Sequence, residues 1–322
     1  MFAFGSYPTP VVCLEPLSTA ATTLWLKRDD LTNRLYGGSK VRKLERLLAD
    51  ARRQGASKVV TVGAVGSHHV LATGVFGRCA GFEVEAVVLP QPQSVHALET
   101  ARASIGQGVA LIAASSYAEA ARQLAARAAA GAYSIPAGGS NLLGTLGLVA
   151  AASELAAQVR AGGMPEPDLV VVPLGSGGTA AGLAAGLLRA GLRTRVLAVA
   201  TAEPVKLFRH KAQSLARELV EPSERAAVAA RLEVERRYLG DGYGRSTSAS
   251  DRATREAARV GLTLDDTYTA KAFAAALDQV ALGRERHVLF WNTLSSAPLA
   301  PLLIDAPGEH ELASEIRALA HP

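Results

Sequence analysis

A lysine that stands where a glycine turn leads into an amphipathic helix is the residue of this sequence best suited to covalent chemistry. The stretch 35–48, LYGGSKVRKLERLL, places Lys40 directly after two glycines and a serine. Apolar residues at spacings of three and four then predict a helix with one buried face. The dipole of that helix disfavours the ammonium form, lowers the pKa of Lys40 and favours Schiff-base chemistry. The same pattern also fits an ordinary surface helix in which Lys40 is solvated.

A second chemical signal is the glycine-rich stretch GSGGT, which follows the apolar run LVVVPL and opens a helical pattern. Its unobstructed amides can converge on a phosphate at the helix N-terminus, with two hydroxyls as further donors. The residues of this predicted phosphate loop are Gly175, Ser176, Gly177, Gly178 and Thr179. A tight packing turn and a Rossmann dinucleotide site are the alternatives. The glycines do not keep the GxGxxG spacing of a Rossmann site, so one phosphate is the favoured ligand.

Three polar residues, Ser67, His68 and His69, stand where an apolar strand pattern gives way to a helical one. Amides at such a helix start can receive a carboxylate, and Ser67 can donate to it as well. His68 and His69 are neighbours in sequence, so on a helix their side chains diverge by about 100° and cannot chelate one metal ion together. The pattern therefore predicts an anion site without a metal, and packing of one histidine is the simpler alternative.

Two tyrosines belong to segments in which a hydroxyl can be exposed. Tyr243 lies in the aperiodic sequence DGYG, and Tyr268 stands at the start of a helical pattern. Phenolic hydroxyls can relay protons and phenol rings can stack on a planar ligand, although either tyrosine could equally anchor a loop. A further glycine turn, IPAGGS at 135–140, ends another strand pattern.

The elements that must position these residues alternate regularly along the chain. Short apolar runs such as 58–65 and 82–90 alternate with helical patterns such as 94–106. This rhythm is typical of βαβ units on a parallel sheet and predicts an α/β fold. The segment 206–237 shows helical patterns rich in charge, and 238–250 has no periodicity.

Composition narrows the class of protein. The 322 residues are 49% apolar, which is enough for a large core and about two domains. No apolar run reaches the roughly 18 residues that span a bilayer, and the N-terminus lacks a signal-peptide pattern, so we expect a cytoplasmic protein without a membrane partner. The net charge of +5 is spread without a basic block, which argues against nucleic acid. Cys13 and Cys79 are expected to be reduced, and no Cys/His spacing indicates a metal site.

Taken together, the segments resemble the family that contains D-cysteine desulfhydrase and 1-aminocyclopropane-1-carboxylate (ACC) deaminase. These are pyridoxal-phosphate (PLP) enzymes of the tryptophan synthase β superfamily, and the similarity covers nearly the whole chain. The matching segments, in the family's order and approximate spacing, are GGSKVRKLE at 37–45, SHH at 67–69, IPAGGS at 135–140, GSGGT at 175–179, GYG at 242–244 and DDTYTAK at 265–271.

The resemblance implies the architecture known as fold type II. In this fold two domains of open, twisted parallel sheets are flanked by helices. The larger, PLP-binding domain would comprise residues 1–45 and 151–322, with a smaller α/β domain of residues 46–150 inserted in it. The resemblance also implies a homodimer that acts on a small amino acid.

The resemblance assigns roles to the candidate residues. Lys40 would hold PLP covalently and, once released by the incoming amino acid, exchange protons at its Cα. The loop 175–179 would bind the phosphate, and Thr293 would partner the pyridine nitrogen. His68 stands where the family usually has an Asn that contacts the 3′ oxygen of PLP. The residues implied to contact or process the substrate are Ser67, His68, His69, Gly139, Tyr243 and Tyr268.

Departures from the deaminase pattern bear on the reaction. Deaminases usually carry Glu after the second tyrosine and Leu in the final strand motif, where this chain has Thr269 and Thr293. A neutral partner for the pyridine nitrogen leaves the ring less electron-withdrawing, which suits elimination of a good β leaving group. We therefore expect β-elimination from D-cysteine-like substrates to pyruvate and ammonia. ACC deamination, a specialised β-elimination or β-replacement, and non-catalytic binding of a small anion are the alternatives.

Overall fold

The structure is a computed structural model that describes residues 2–92 and 94–320. The chain divides into two compact units, each built on its own sheet. The first unit contains the N-terminal residues through Phe4, Leu44–Gly139 and the segment from Ala297 onward, and the second contains Gly5–Lys43 and Ser140–Ser296. This division assigns 140–150 to the second unit and the C-terminal segment to the first, whereas the family resemblance implies 140–150 in the smaller domain and the C-terminal segment in the larger one.

Strands and helices alternate as the apolar rhythm of the sequence predicts. The strands in the described part of the chain are β1 (Val11–Cys13), β2 (Thr23–Lys27), β3 (Lys58–Ala64), β4 (Glu83–Leu89), β5 (Val109–Ala113), β6 (Tyr133–Ser134), β7 (Leu169–Leu174), β8 (Arg195–Ala200), β9 (Leu232–Glu235) and β10 (His287–Trp291). The α-helices there are α1 (Lys40–Arg53), α2 (His68–Cys79), α3 (Val95–Gly106), α4 (Tyr117–Ala129), α5 (Leu142–Arg160), α6 (Gly178–Arg189), α7 (Val205–Glu218), α8 (Arg225–Arg231), α9 (Ser248–Arg259), α10 (Thr269–Leu282) and α11 (Ser314–Leu319).

The first unit is organised on a four-stranded sheet in the order β5-β4-β3-β6, and all its pairs are parallel. The register of β3 and β4 runs from Lys58 opposite Glu83 to Ala64 opposite Leu89. Parallel neighbours need a crossover, and helices supply it between these strands. Serine side chains accept hydrogen bonds from amides in the first turns of α2, α3 and α4 and so define where those helices begin.

The second unit is organised on a six-stranded sheet in the order β1-β2-β10-β7-β8-β9. Every pair in it is parallel except β1 with β2, an antiparallel edge that the sequence does not predict. All of β7 is buried, as expected of a central strand covered by helices on both faces. The predicted α/β class with parallel sheets flanked by helices is confirmed.

One element in this sheet was predicted incorrectly. The pattern of 206–237 predicts helices throughout, but residues 232–235 form β9 and pair in parallel with β8, Leu232 lying opposite Val196. The sequence there is LEVE, which alternates apolar and acidic residues, and Leu232 is buried in the core together with Val228. Backbone pairing with β8 therefore outweighs the helical preference of the surrounding charged residues.

Helix α5 of the second unit begins at Leu142. Asn141 sets this start, because its side chain accepts a hydrogen bond from Gly144 N at 2.8 Å. The helix has 19 residues and contains an 18-residue window with a mean hydropathy of 1.5, enough by length and composition to cross a membrane. Leu148 and Leu155 are fully buried in the core that α5 shares with α6, which accounts for its apolar composition.

A buried ionic network ties the start of α1 to α5. Arg42 donates to both carboxylate oxygens of Asp29 at 2.9 and 2.8 Å and to Glu154 Oε2 at 2.9 Å. Lys27 Nζ lies 2.5 Å from Glu154 Oε1 and donates to the Thr9 carbonyl at 2.7 Å. Two cations and two carboxylates thus neutralise one another inside the unit, and loss of one member leaves an unpaired buried charge.

The close approach of α1 and α5 predicts that Gly147 cannot be replaced. A Cβ at Gly147 would lie 2.1 Å from the Arg42 carbonyl oxygen. Gly147→Ala should therefore destabilise the protein by about 1–3 kcal/mol through overpacking. Helix propensity alone would stabilise it by about 0.5–1 kcal/mol, which is the opposite sign. Denaturant unfolding measures the difference.

The matched control lies on the exposed side of the same helix. Ala150 is exposed, so Ala150→Gly should cost only the propensity difference of about 0.5–1 kcal/mol. A Gly147→Ala protein as stable as the wild type would show that α1 and α5 are not in the close contact described.

Candidate cofactor site

The backbone in front of Lys40 is fixed against the segment that follows β10. Gly37 N donates to Ser295 Oγ at 2.8 Å, and Ser39 N donates to the Thr293 carbonyl at 3.3 Å. Gly38 has φ of +93°, and a Cβ there would lie 2.5 Å from the Thr293 carbonyl oxygen. Only glycine suits both the angle and the contact. The turn therefore holds the first residue of α1 beside the end of β10.

The amine of Lys40 has a lowered pKa and no hydrogen-bond partner among the described residues. Lys40 is partly buried, and its amino group makes no hydrogen bond or ion pair with any residue that the structure describes. Burial lowers the pKa of this amine, and the carboxylate of Asp265 partly opposes the shift. The sequence predicts a pKa lowered by the helix dipole, and burial is a further cause in the folded unit. A neutral, unpaired amine is the form that attacks a carbonyl carbon.

The predicted phosphate loop surrounds the N-terminus of α6. Gly177 has φ of +93° and occupies the N-cap position. Ser140 Oγ lies 2.7 Å from Ser176 Oγ, accepts a hydrogen bond from Gly178 N at 3.2 Å and accepts another from Lys43 Nζ at 3.1 Å. A Cβ on Gly178 would lie 2.5 Å from Ser140 Oγ. The loop thus forms a cradle of amide and hydroxyl groups that a side chain at Gly178 would fill.

Positive charge accumulates beside this cradle. Lys43 is buried, and its pKa is lowered well below the ordinary value by burial and by the charges of Lys40 and Lys211. Burial also lowers the pKa of Lys211, which lies on α7. Buried cations that repel one another are unfavourable unless an anion joins them. Together with a helix N-terminus, they fit a phosphate group.

Lys43 and Ser140 were missed as site residues. Lys43 lies three positions after Lys40 in the sequence, so it shares the helical face of Lys40. Ser140 closes the glycine turn IPAGGS, whose spacing does not reveal which element it meets. The signal for Lys43 was present in the sequence, and the signal for Ser140 was not.

The two candidate tyrosines lie together. The Tyr243 and Tyr268 hydroxyl oxygens are 2.8 Å apart, and the rings meet edge to face with centroids 5.6 Å apart. The ring of Tyr268 also reaches the phosphate loop, because a Cβ on Gly175 would lie 3.1 Å from its Cε1. Two hydroxyls at hydrogen-bond distance can pass a proton between them.

The two threonines that distinguish this chain from deaminases have different environments. Thr269 is buried, and its hydroxyl lies 2.7 Å from the Asp265 carboxylate and accepts from Asp265 N at 2.8 Å. Thr293 is partly exposed, and its hydroxyl makes no hydrogen bond with the described residues. The hydroxyl of Thr269 therefore stabilises the start of α10. Of the two threonines, Thr293 is the one whose hydroxyl can bind a ligand.

In the first unit, Ser67 is the N-cap of α2. Its Oγ accepts hydrogen bonds from His69 N at 3.2 Å and Val70 N at 3.5 Å. Two of the amides expected to receive a carboxylate are thus occupied by Ser67 itself. Its hydroxyl proton is not donated to any residue in the described part of the chain, so Ser67 can still donate to an anion.

The two histidines after Ser67 differ in their surroundings. His69 is buried, and its Nε2 lies 2.9 Å from Thr61 Oγ1, which itself donates to the Ile135 carbonyl. Because Thr61 has one hydroxyl proton, His69 Nε2 is the donor of the pair. His68 Nε2 lies 3.1 Å from His96 Nε2 on α3, a partner that the sequence does not indicate. No group of three or more metal-ligating side chains occurs among the described residues.

The structure distributes the predicted site residues over both units. The second unit contains Lys40, the loop 175–179, Tyr243, Tyr268 and Thr293. The first unit contains the remaining candidates, which are Ser67, His68, His69 and Gly139. Gly139 is buried at the end of the IPAGGS turn with φ of +62°.

Comparison with known proteins identifies the family. The family described as pyridoxal-phosphate dependent enzyme matches residues 3–293, so this chain belongs to it. D-cysteine desulfhydrase of Klebsiella pneumoniae is 34% identical over 313 residues, covering 89% of this chain and 91% of that protein. A second relative is a protein of Pyrococcus furiosus that is assigned, without verification, as an ACC deaminase. It is 32% identical over 298 residues, covering 89% of each chain.

A solved structure is similar over the same extent. The crystal structure of an ACC deaminase homologue superposes with a TM-score of 0.78 at 29% identity, covering 93% of this chain and 95% of the other. The family, the fold type and the PLP cofactor expected from the sequence are confirmed. The cradle around Gly178 and the lysines beside it fit the phosphate of PLP, and the unpaired Lys40 amine fits its aldehyde.

The buried cations predict how Lys43 affects stability. In cofactor-free protein at neutral pH, Lys43→Met should raise the free energy of unfolding by about 1–3 kcal/mol, because burial and the charges of Lys40 and Lys211 make an amine at this position unfavourable. With PLP the order should reverse, because the phosphate loses a partner and its affinity falls about tenfold or more. Thermal unfolding with and without PLP measures both effects.

The pH dependence provides a second signature of Lys43. Its folded pKa is lowered, so between that value and about 10.4 the unfolded chain binds more protons. Cofactor-free wild type should gain stability as pH rises through this window, by up to about 1.4 kcal/mol per pH unit, and Lys43→Met should gain less. Lys206→Met, an exposed lysine on α7, is the control. Identical pH profiles for wild type and Lys43→Met would contradict the assignment.

Proposed function

We propose that this enzyme catalyses β-elimination from a small amino acid with a good leaving group at Cβ, a D-cysteine-like substrate. With D-cysteine and water the products are pyruvate, ammonia and hydrogen sulfide. The observation that supports this most directly is the neutral hydroxyl of Thr293, which has no hydrogen-bond partner among the described residues and belongs to a residue that contacts the turn before Lys40. The 34% identity to a D-cysteine desulfhydrase gives independent support.

We propose that the second unit supplies the groups that hold PLP. The loop 175–179 with Ser140 and Lys43 would bind the phosphate, Lys40 would bind the aldehyde carbon, and Thr293 would face the pyridine nitrogen. When bound, PLP withdraws electrons from the substrate Cα. His68 of the first unit is proposed as the residue in place of the family's Asn at the 3′ oxygen.

Proton transfer is assigned to Lys40 and the tyrosine pair. The Lys40 amine, whose pKa is lowered by burial, accepts the proton from the substrate Cα. The two tyrosine hydroxyls lie 2.8 Å apart, and one of them would donate a proton to the departing sulfur. The Cα–H and Cβ–S bonds break, the electron pair of the former makes the Cα=Cβ double bond, and the electron pair of the latter leaves with sulfur. Water then hydrolyses the released enamine to pyruvate and ammonia.

Ser67 is proposed as the donor to the substrate carboxylate. Its oxygen is fixed by the amides of α2, and its proton can point toward an anion. The positive end of the α2 dipole favours negative charge at this point. His69 and Gly139 are proposed to support this binding site.

ACC deamination is the second candidate. It is favoured by the 32% identity to the Pyrococcus furiosus protein and by the superposition on the ACC deaminase homologue. Thr269 and Thr293 argue against it. We also propose that the protein works in the cytoplasm as a homodimer, as the family resemblance implies, and light scattering at micromolar concentration tests the dimer.

A substrate panel with variants of Thr293 tests the reaction. We expect D-cysteine and β-chloro-D-alanine to give 2-oxo acid much faster than ACC. Thr293→Val, which removes the hydroxyl at constant volume, should lower kcat about tenfold to a hundredfold, and Thr293→Ser should retain most of it. Lys40→Ala should lose both activity and the visible absorption of bound PLP.

The outcomes separate the candidates. Faster turnover of ACC than of any β-substituted amino acid would overturn the proposed ranking. Equal rates for Thr293→Val and wild type would reject the role of the hydroxyl. The panel should include L-amino acids, because the types of residue at the site do not determine the stereochemistry.

A further inference from the structure

Lys271 is a buried charged residue that the proposed reaction does not use. It lies on α10, three positions after Tyr268, and its side chain is fully buried. Its Nζ donates to the carbonyl oxygens of Leu239 and Gly242, each at 2.8 Å. Both acceptors belong to the loop that carries Tyr243.

That loop, residues 239–244, contains three glycines and needs contacts outside itself to hold one conformation. Gly240, Gly242 and Gly244 all have positive φ, of 60°, 113° and 72°. Glycines have more conformations open to them than other residues, so a segment with three of them is costly to order. A backbone bond from Gly242 N to the Leu239 carbonyl, at 3.3 Å, closes only a local turn. The two bonds from Lys271 connect this turn to a helix.

We infer that Lys271 is a positioning residue that sets the distance between the Tyr243 and Tyr268 hydroxyls. The helix α10 presents Tyr268 at its start and Lys271 one turn later, so one rigid element carries both the partner and the anchor of Tyr243. An ammonium group with two carbonyl acceptors limits how far the loop can move. The 2.8 Å contact between the hydroxyls follows from this arrangement.

The local charges are consistent with an ammonium group at this position. Burial lowers the pKa of Lys271 to about 8, and the carboxylates of Asp265, Asp241 and Asp266 oppose that shift. At neutral pH the charged form therefore predominates. If an apolar side chain replaces Lys271, the carbonyl oxygens of Leu239 and Gly242 lose the hydrogen bonds that its ammonium group donates.

The inference rests on the proposed function only for the catalytic role of the tyrosines. The kinetic test compares Lys271→Met, Tyr243→Phe and the double variant by kcat and KM for β-elimination. Lys271→Met should lower kcat about tenfold to a hundredfold with little change in KM, and the double variant should be no slower than Tyr243→Phe. Independent, multiplying effects of the two substitutions would overturn the inference.

A structural measurement does not require any turnover. Hydrogen exchange of the PLP-bound protein should be faster at residues 239–244 in Lys271→Met than in wild type, with unchanged exchange in β7. The visible absorption of PLP should be retained, because Lys40 is intact. Unchanged exchange at 239–244 would overturn the anchor even if the kinetics changed.

Two further variants complete the design. Lys206→Met removes an exposed lysine and should leave both measurements at wild-type values. Lys271→Gln retains a shorter donor and replaces the methionine variant if that protein folds poorly, with a smaller change in the same direction. If wild type eliminates nothing from any substrate, the proposed function fails, while the exchange result still decides whether Lys271 holds the loop.

Discussion

The ionic network around Arg42 is the constraint on which the position of Lys40 depends. Arg42 lies two residues after Lys40 in α1, and its guanidinium is held by Asp29 and Glu154 inside the second unit. A guanidinium held by two carboxylates at hydrogen-bond distance has little freedom to rotate or slide. Because α1 is a continuous helix, fixing Arg42 fixes the rotation of its first turn. Gly147 completes the constraint by letting α5, which supplies Glu154, approach the backbone of Arg42.

Charge balance distinguishes this scaffold from the site beside it. In the network, Lys27 and Arg42 face Asp29 and Glu154, so charges of both signs are equal in number. At the next residue of α1, Lys43 lies close enough to Lys40 and Lys211 for their charges to lower its pKa. Repulsion between buried cations is unfavourable, so this arrangement favours an anionic ligand. The phosphate of PLP, as proposed above, would supply that negative charge, and its binding would stabilise the folded protein.

The sequence predicts those parts of the fold and site that local chemistry determines. Apolar runs of strand length, helical periodicity and the glycines near Lys40 and at 175–179 all depend on neighbours within a few residues, and the predicted elements are nearly all present. What depends on distant partners was missed. Strand β9 forms because it pairs with β8. Ser140 becomes a site residue through its hydrogen bonds with Lys43 and Gly178, which are distant in sequence. Tertiary contacts of this kind leave no periodic trace in the chain.

Asp265 holds the start of α10, and its hydrogen bonds bear on which reaction the site favours. Its carboxylate accepts hydrogen bonds from the amides of Tyr268 and Thr269 and lies 2.7 Å from the Thr269 hydroxyl. The same charge opposes the loss of the proton from Lys40 and from Lys271. Thr269, which stands where deaminases carry a glutamate, is the first residue of α10 here, and its hydroxyl is hydrogen-bonded to Asp265. Of the two threonines, Thr293 is therefore the one proposed to partner the pyridine nitrogen, and a neutral partner there would suit departure of a β substituent.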